Sequence, residues 1–150
     1  MRITLDTNVL VSAFISKSGQ PAAVLDAILT FPEIELVLSD QILRELRDVL
    51  LRREVRARFG YSVSDTDAFV NELRAVCGLV RVKSDFKVVA DDPKDNIIIN
   101  TAYDGGADYV VSGDRHLEEV KRFRGMRIVS PRSMLNILRR RFGEFIIPGT

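Results

Sequence analysis

The sequence reads Gly106-Ala107-Asp108-Tyr109-Val110-Val111-Ser112-Gly113-Asp114 in the second half of the chain. Residues 109–112 are rich in β-branched side chains and are bounded by turn residues, which predicts a short buried strand. Asp114 follows this predicted strand by only two residues. The carboxyl ends of the strands form the edge at which ligands bind in an open parallel sheet. The stretch therefore predicts a strand of a parallel sheet with a carboxylate at its ligand-binding edge.

The start of the chain shows the same arrangement. Residues 2–6 predict a second short buried strand, and Asp6 ends it. Two carboxylates at one edge of a sheet would repel each other unless a cation lay between them. Carboxylate oxygens suit Mg²⁺ or Mn²⁺, with water completing the coordination shell. Each residue alone also fits a structural role, Asp6 as a turn residue and Asp114 as the N-cap of a following helix.

Strands and helices alternate along the rest of the chain. Further strands are predicted at residues 34–38, within 79–82 and at 126–129. Apolar residues recur with helical spacing in residues 21–29, 39–51, 65–76 and 131–141. Another helix is predicted from Pro93, with Asp92 as its N-cap and Asp95 in its first turn. This alternation predicts right-handed βαβ units, a parallel sheet covered on both faces and one α/β domain over residues 1–150.

Glu45 is a third candidate for the acidic site. On the predicted helix of residues 39–51 it lies one turn from both Ile42 and Val49, at the margin of the apolar face. A carboxylate in this position can turn toward the sheet. It equally fits an exposed, solvated helix face shared with Arg44 and Asp48.

The composition is that of an ordinary globular domain. The chain has 150 residues, 46% of them hydrophobic, and a net charge of +1. Its single cysteine excludes an intrachain disulfide and a cysteine zinc site. No apolar run approaches the roughly 18 residues of a membrane helix, and the N-terminus lacks the apolar core of a secretory signal. We therefore expect a cytoplasmic protein.

Charges are unevenly distributed along the chain. Residues 85–114 contain seven acids and two lysines, whereas residues 115–142 contain nine basic residues and two acids. A third stretch, residues 44–58, holds six arginines and three acids. An acidic cluster that binds cations, beside basic flanks that bind a polyanion, is what a phosphodiester-cutting site needs. Each stretch alone is also typical of a solvated surface.

Four of these features together resemble PIN domains, in particular the VapC-like toxins of bacterial and archaeal toxin–antitoxin systems. They are Leu-Asp-Thr-Asn-Val-Leu at 5–10, the helical Glu45, Asp-Asp-Pro-Lys-Asp-Asn at 91–96 and the stretch at 108–114. The resemblance runs from residue 2 to about residue 129. It implies a three-layer α/β/α sandwich with a parallel five-stranded sheet of order 3-2-1-4-5.

The resemblance also implies a metal-dependent endoribonuclease that uses Mg²⁺ or Mn²⁺. Its four acidic positions match Asp6, Glu45, Asp95 and Asp114. Its polar positions that orient the acids match Thr7, Asn8 and Ser112, with Asp92 as an outer neighbour. Metal-activated water would attack phosphorus and leave a 5′-phosphate and a 3′-hydroxyl, with no need for the RNA 2′-hydroxyl.

Predicted partners follow from the charges and from the resemblance. The RNA backbone near the site is assigned to four basic residues, Arg115, Lys121, Arg122 and Arg124. The resemblance implies a small antitoxin protein and a second copy of the chain, as a homo-oligomer and most simply a dimer. No membrane partner is predicted.

Three other functions remain open at this point. A haloacid-dehalogenase-type phosphatase also begins with a strand-end aspartate, but it places a second aspartate two residues later, where this chain has Asn8. A PIN-like module that binds RNA or protein without cutting would be expected to lack one or more of the acids, and all four are present. A PIN nuclease that processes RNA without being a toxin has the same residues.

Overall fold

The computed structural model describes residues 1–89 and 92–143, so Asp91 of the acidic motif lies outside the described residues. Within these ranges the strands are β1 (Arg2–Leu5), β2 (Glu35–Ser39), β3 (Gly78–Val80), β4 (Tyr109–Val111), β5 (Arg122–Phe123) and β6 (Met126–Val129). The helices are α1 (Thr7–Ile15), α2 (Gln20–Thr30), α3 (Asp40–Leu50), α4 (Arg53–Phe59), α5 (Val63–Val76), α6 (Pro93–Asp104), α7 (Arg115–Val120) and α8 (Pro131–Phe142).

All strands of the described residues belong to one sheet of order β3-β2-β1-β4-β6-β5. The first five in this order are parallel, which confirms the predicted arrangement, with β6 as the predicted fifth strand. The predicted count of five strands is wrong, because β5 adds an antiparallel edge strand to β6. The chain reverses between them through Arg124 (φ 47°) and Gly125 (φ 87°). A strand of two residues carries too little sequence pattern to be predicted.

The sheet is covered on both faces, as the alternation of strands and helices predicts. Ile3, Thr4 and Leu5 of β1 are all fully buried, although successive strand residues point to opposite faces. The hydroxyl of Thr4 donates a hydrogen bond of 2.9 Å to the carbonyl of Val37, so this buried polar group is satisfied. The fold is therefore the predicted α/β/α sandwich.

The four helices predicted from apolar spacing are present as α2, α3, α5 and α8, and α6 and α7 follow the predicted N-caps Asp92 and Asp114. The remaining two described helices, α1 and α4, are not predicted by the sequence patterns. α1 is a nearly continuous apolar run after Asp6, without the periodic polar face that marks a surface helix. α4 buries none of its residues, so no apolar spacing reveals it. Among the described residues, no helix is long and apolar enough to cross a membrane.

β1 and β4 end level with each other. Their register pairs Leu5 with Val111, and the Asp6 N–H donates to the Val111 carbonyl at 2.9 Å. Ser112 continues the ladder on the other side, since its N–H donates to the Val129 carbonyl at 3.0 Å. The residues that follow the two strands consequently emerge side by side at the same edge of the sheet.

Side-chain amides of α6 hold the extended segment that precedes this helix. Asn100 accepts the Phe86 N–H at 2.8 Å and donates to the Phe86 carbonyl at 3.0 Å. Asn96, one turn earlier in the helix, makes the same pair of bonds to Val89, each at 2.9 Å. These amides take the place of a neighbouring strand and satisfy backbone groups that would otherwise lack partners. They also fix the amino-terminal end of α6, where Asp95 lies.

A Gly105→Ala substitution is expected to lower the free energy of unfolding by about 1–3 kcal/mol, because it overpacks the core. Gly105 follows α6, and a Cβ atom there would collide with the side chains of Val37 and Val80. Gly113→Ala is the matched control, since its Cβ would meet nothing within 4 Å. Urea unfolding monitored by circular dichroism measures both changes, and equal stabilities of the two variants would contradict the packing argument.

Candidate metal centre at the carboxyl edge of the sheet

Asp6 occupies the junction between β1 and α1 and is only 5% exposed. It stands at the N-cap position of α1, yet its side chain makes no capping hydrogen bond. One carboxylate oxygen instead accepts a bond of 2.7 Å from the hydroxyl of Ser112, on the neighbouring strand. Burial raises the pKa of Asp6, and the Ser112 bond opposes this effect. The hydrogen bond to Ser112 therefore ties the Asp6 carboxylate to the neighbouring strand rather than only to the helix that it precedes.

Ser112 connects two of the predicted acids. Its buried hydroxyl donates to Asp6 and accepts the N–H of Asp114 at 2.9 Å. Asp114 is half-buried and caps α7, because its carboxylate accepts the His116 N–H at 2.7 Å. Asp114 therefore does serve as the N-cap of α7. It also lies close enough to Asp6 and Asp95 for its negative charge to raise the pKa of each.

Glu45 faces the sheet edge from α3, as one of the two sequence interpretations requires. It is half-buried, and one carboxylate oxygen accepts a bond of 3.1 Å from the hydroxyl of Thr7. The other oxygen lies 3.4 Å from the ammonium of Lys94. The negative charge of Glu45 also raises the pKa of Asp6. Thr7 therefore links Glu45 to the first turn of α1, directly beside Asp6.

Asp95 lies in the first turn of α6 and is 6% exposed. Its N–H donates to the capping carboxylate of Asp92 at 3.2 Å, which gives Asp92 the structural role considered for it. One carboxylate oxygen of Asp95, Oδ2, is buried and has no hydrogen-bond partner among residues 1–89 and 92–143. Burial, followed by the negative charges of Asp114 and Asp92, raises the pKa of Asp95 to about 7.

Asn8 contributes through its backbone rather than its side chain. Its N–H lowers the pKa of Asp6, while the residue itself is exposed. Thr7 and Ser112, in contrast, bind acids directly through their hydroxyls. Of the predicted orienting residues, two therefore act through their side chains.

The four acids suit a hydrated divalent cation better than a closed cage. Among residues 1–89 and 92–143, no three His, Cys, Asp or Glu side chains are arranged to hold a metal ion directly. Mg²⁺ usually keeps several water ligands and takes only one or two carboxylates from the protein. The unpartnered oxygen of Asp95 and the mutual repulsion of these acids are what such a cation would relieve. The donor set therefore fits Mg²⁺ or Mn²⁺.

The basic residues predicted to hold RNA differ in what they contact. The Arg115 side chain is 90% exposed and pairs with Glu119 at 3.8 Å. The Arg124 guanidinium lies over the ring of Phe86, 4.7 Å from its centroid. Lys121 and Arg122 are exposed. Their assignment to RNA stays a prediction.

Lys94 is a site residue that sequence reasoning missed. The sequence predicts its neighbour Asp95 as an acid of the site. It does not predict the ion pair of Lys94 with Glu45, because these two residues lie far apart in the chain. The only signal in the sequence is the adjacency of Lys94 to Asp95 in the first turn of a helix. Such a position does not say which carboxylate the ammonium reaches.

Without divalent metal, the free energy of unfolding should fall as the pH rises from about 4 to about 7. In this window the folded protein keeps the proton of Asp95, whose pKa is raised to about 7, while the unfolded chain releases it. Asp95→Asn should flatten this fall, and Asp26→Asn, which replaces an exposed carboxylate of α2, should not. Chemical denaturation in EDTA at a series of pH values measures the effect. Parallel curves for wild type and Asp95→Asn would rule out the raised pKa.

Known proteins resemble this chain in sequence and in fold. The chain is similar to the uncharacterized protein MJ1680 of Methanocaldococcus jannaschii, with 29% identity over 117 residues that cover 78% of this chain and 73% of that protein. The fold of this protein is similar to that of one chain in the crystal structure of VapBC2 from Rickettsia felis bound to a DNA fragment from their promoter. That match has a TM-score of 0.61 and 13% identity, and it covers 87% of this chain and 98% of the other. Residues 2–116 match the sequence profile of the PIN domain family, and the protein therefore belongs to that family.

Proposed function

We propose that this PIN domain is a metal-dependent endoribonuclease that uses Mg²⁺ or Mn²⁺. The observation that carries the proposal is the buried Asp95 oxygen, which has no hydrogen-bond partner among the described residues, beside acids whose charges help to raise the pKa of Asp95 and of Asp6. Such a group is costly to the metal-free fold and is a typical sign of a functional site. The acids proposed to bind the metal and catalyse cleavage are Asp6, Glu45, Asp95 and Asp114.

The side chains around the acids have separate tasks in this mechanism. The acids would hold a divalent cation, which would supply a water activated for attack on phosphorus near neutral pH and would offset charge on the phosphoryl oxygens. Ser112 orients the Asp6 carboxylate toward the site, and Thr7 does the same for Glu45. Asp92 fixes the first turn of α6 and thereby the position of Asp95. The four basic residues proposed to hold the RNA backbone at this edge are Arg115, Lys121, Arg122 and Arg124.

The biological setting that we propose is a cytoplasmic toxin–antitoxin pair. The fold similarity to a chain of the VapBC2 complex supports this setting, as does the sequence resemblance to VapC-like toxins. The partners would be RNA, a small antitoxin and a second copy of the chain in a dimer. A PIN nuclease that processes RNA without an antitoxin is the second candidate, because it would use the same acids.

Binding of Mn²⁺ should raise the melting temperature in wild type and not in Asp6→Asn. At a metal concentration of 100 Kd the expected stabilisation is about 2.7 kcal/mol, or about 5–10 °C for a domain of this size. Asp26→Asn is the matched control and should keep the full shift. Differential scanning calorimetry with Mn²⁺ and with EDTA measures it. An equal shift in Asp6→Asn would exclude Asp6 from the metal site.

Single-stranded RNA should be cleaved with Mn²⁺ or Mg²⁺ and left intact in EDTA. Asp6→Asn/Asp114→Asn should reduce the rate by at least about 100-fold, because two ligand charges are lost with little change of shape. End-labelled RNA on a denaturing gel gives the rate, and the ends of the products identify the 5′-phosphate. Cleavage at the wild-type rate by the folded double variant would disprove the site. Absence of cleavage by folded wild-type protein would favour a binding module.

A further inference from the structure

The outer face of α3 forms one side of a basic groove that leads to Glu45. A depression of about 430 Å³ lies between α3 and the start of α6, and its lining includes Arg44, Arg52, Lys94 and Glu45. A second depression of about 440 Å³ continues it, since both are lined by Gln41 and Arg44. Arg81 lines this second part. We call the two together the α3–α6 groove.

Positive charge dominates the α3–α6 groove. Arg44, Arg52 and Arg81 are exposed, and none of them pairs with a carboxylate in the part of the chain that the structure describes. The acids in the lining are largely neutralised. Asp40 pairs with Arg74, and Glu45 pairs with Lys94. Only Asp48 lines the groove without an ion pair among the described residues.

Lys94 marks the junction between the groove and the acidic site. Its ammonium contacts Glu45, and its side chain is still 67% exposed. A ligand lying in the groove therefore meets cationic side chains along its length and the candidate metal centre at one end. Unpaired guanidinium groups that lead to a phosphodiester-cutting site fit the phosphate backbone of a single strand.

We propose that the α3–α6 groove binds the backbone of single-stranded RNA, with Arg44 and Arg52 as phosphate contacts. The proposal rests on the proposed nuclease function. It gives a role to the arginine-rich stretch at 44–58, which the acidic site leaves unused. The bound RNA strand then runs past the four acids from Asp114 to Glu45. The α3–α6 groove holds the part of the strand that lies on the Glu45 side of the cleaved bond.

The test is equilibrium binding of a fluorescent single-stranded RNA to Arg44→Ala/Arg52→Ala, measured by anisotropy in EDTA so that no cleavage occurs. Loss of two phosphate contacts should make the plot of log K against log salt shallower by about 1.4, or about 0.7 per contact. At 0.1 M monovalent salt this corresponds to binding about 25-fold weaker. Arg140→Ala/Arg141→Ala removes the same charge from the exposed end of α8 and should bind as wild type.

A second assay separates the groove from the acidic site. Hydrolysis of bis(p-nitrophenyl) phosphate with Mn²⁺ needs the acids, but this compound is too small to occupy the α3–α6 groove. Arg44→Ala/Arg52→Ala should therefore hydrolyse it at the wild-type rate. Absence of this hydrolysis in wild type would count against the nuclease, while the binding assay would still judge the groove. Loss of both RNA binding and diester hydrolysis in the folded variant would overturn the proposal, because the arginines would then act on the acids.

Unchanged RNA affinity and salt dependence in Arg44→Ala/Arg52→Ala would also overturn the proposal. Light scattering of the same samples reports whether the variant has lost an assembly with a second copy. A change in molar mass with unchanged RNA binding would assign the α3–α6 groove to a protein partner instead.

Discussion

The parallel pairing of β1 with β4 determines where the acidic side chains meet. The bond from the Asp6 N–H to Val111 holds the two strand ends level, so that Ser112 lies beside Asp6. A slip of one residue would turn the side chains of β1 to the opposite faces of the sheet. Both faces are buried, so such a slip would misplace the Thr4 hydroxyl and break its hydrogen bond to the Val37 carbonyl. The register of the core is in this way also the geometry of the site.

The burial of like charges at this edge of the sheet is electrostatically unfavourable. Asp6 and Asp95 are buried with like charges nearby, and the pKa of each is raised. Partial compensation comes from the Ser112 hydroxyl at Asp6 and from Lys94 at Glu45. The remaining repulsion and the unpartnered Asp95 oxygen are a feature that purely structural packing would not retain. Functional sites often hold such locally unfavourable groups, and stabilising interactions elsewhere in the fold offset their unfavourable free energy.

α3 connects the core to both proposed binding surfaces. Leu43, Leu46 and Leu50 lie on its buried face, whereas Arg44 lies on the side that lines the groove. Glu45 stands at the boundary, since it is half-buried and bound by Thr7 from α1. The packing of the leucines therefore sets the position of a metal-binding candidate and of the basic groove together. Substitutions in the buried face of α3 are expected to disturb both surfaces, even though they contact neither.

Most strands and helices follow from local patterns, because apolar periodicity and N-caps depend on residues close in sequence. The order of the parallel strands follows from the family resemblance alone. Asp6, Asp95 and Asp114 are visible for the same reason, as each lies in a recognisable motif, whereas Glu45 is singled out only by the family resemblance. The two-residue β5 and the unburied α4 are not predictable, since tertiary contacts and turn geometry stabilise them rather than a pattern of their own.

The sequence by itself determined the alternation of strands and helices, and its resemblance to PIN domains supplied the strand order and the set of four candidate acids. Tertiary structure decided which groups each acid contacts: Ser112 for Asp6, Lys94 and Thr7 for Glu45, and, within the described part of the chain, no partner for the Asp95 oxygen. It also decided that part of the arginine-rich stretch at 44–58 lines a groove beside Glu45. The physical reason is that these contacts join residues distant in the chain, and their geometry depends on how the elements pack.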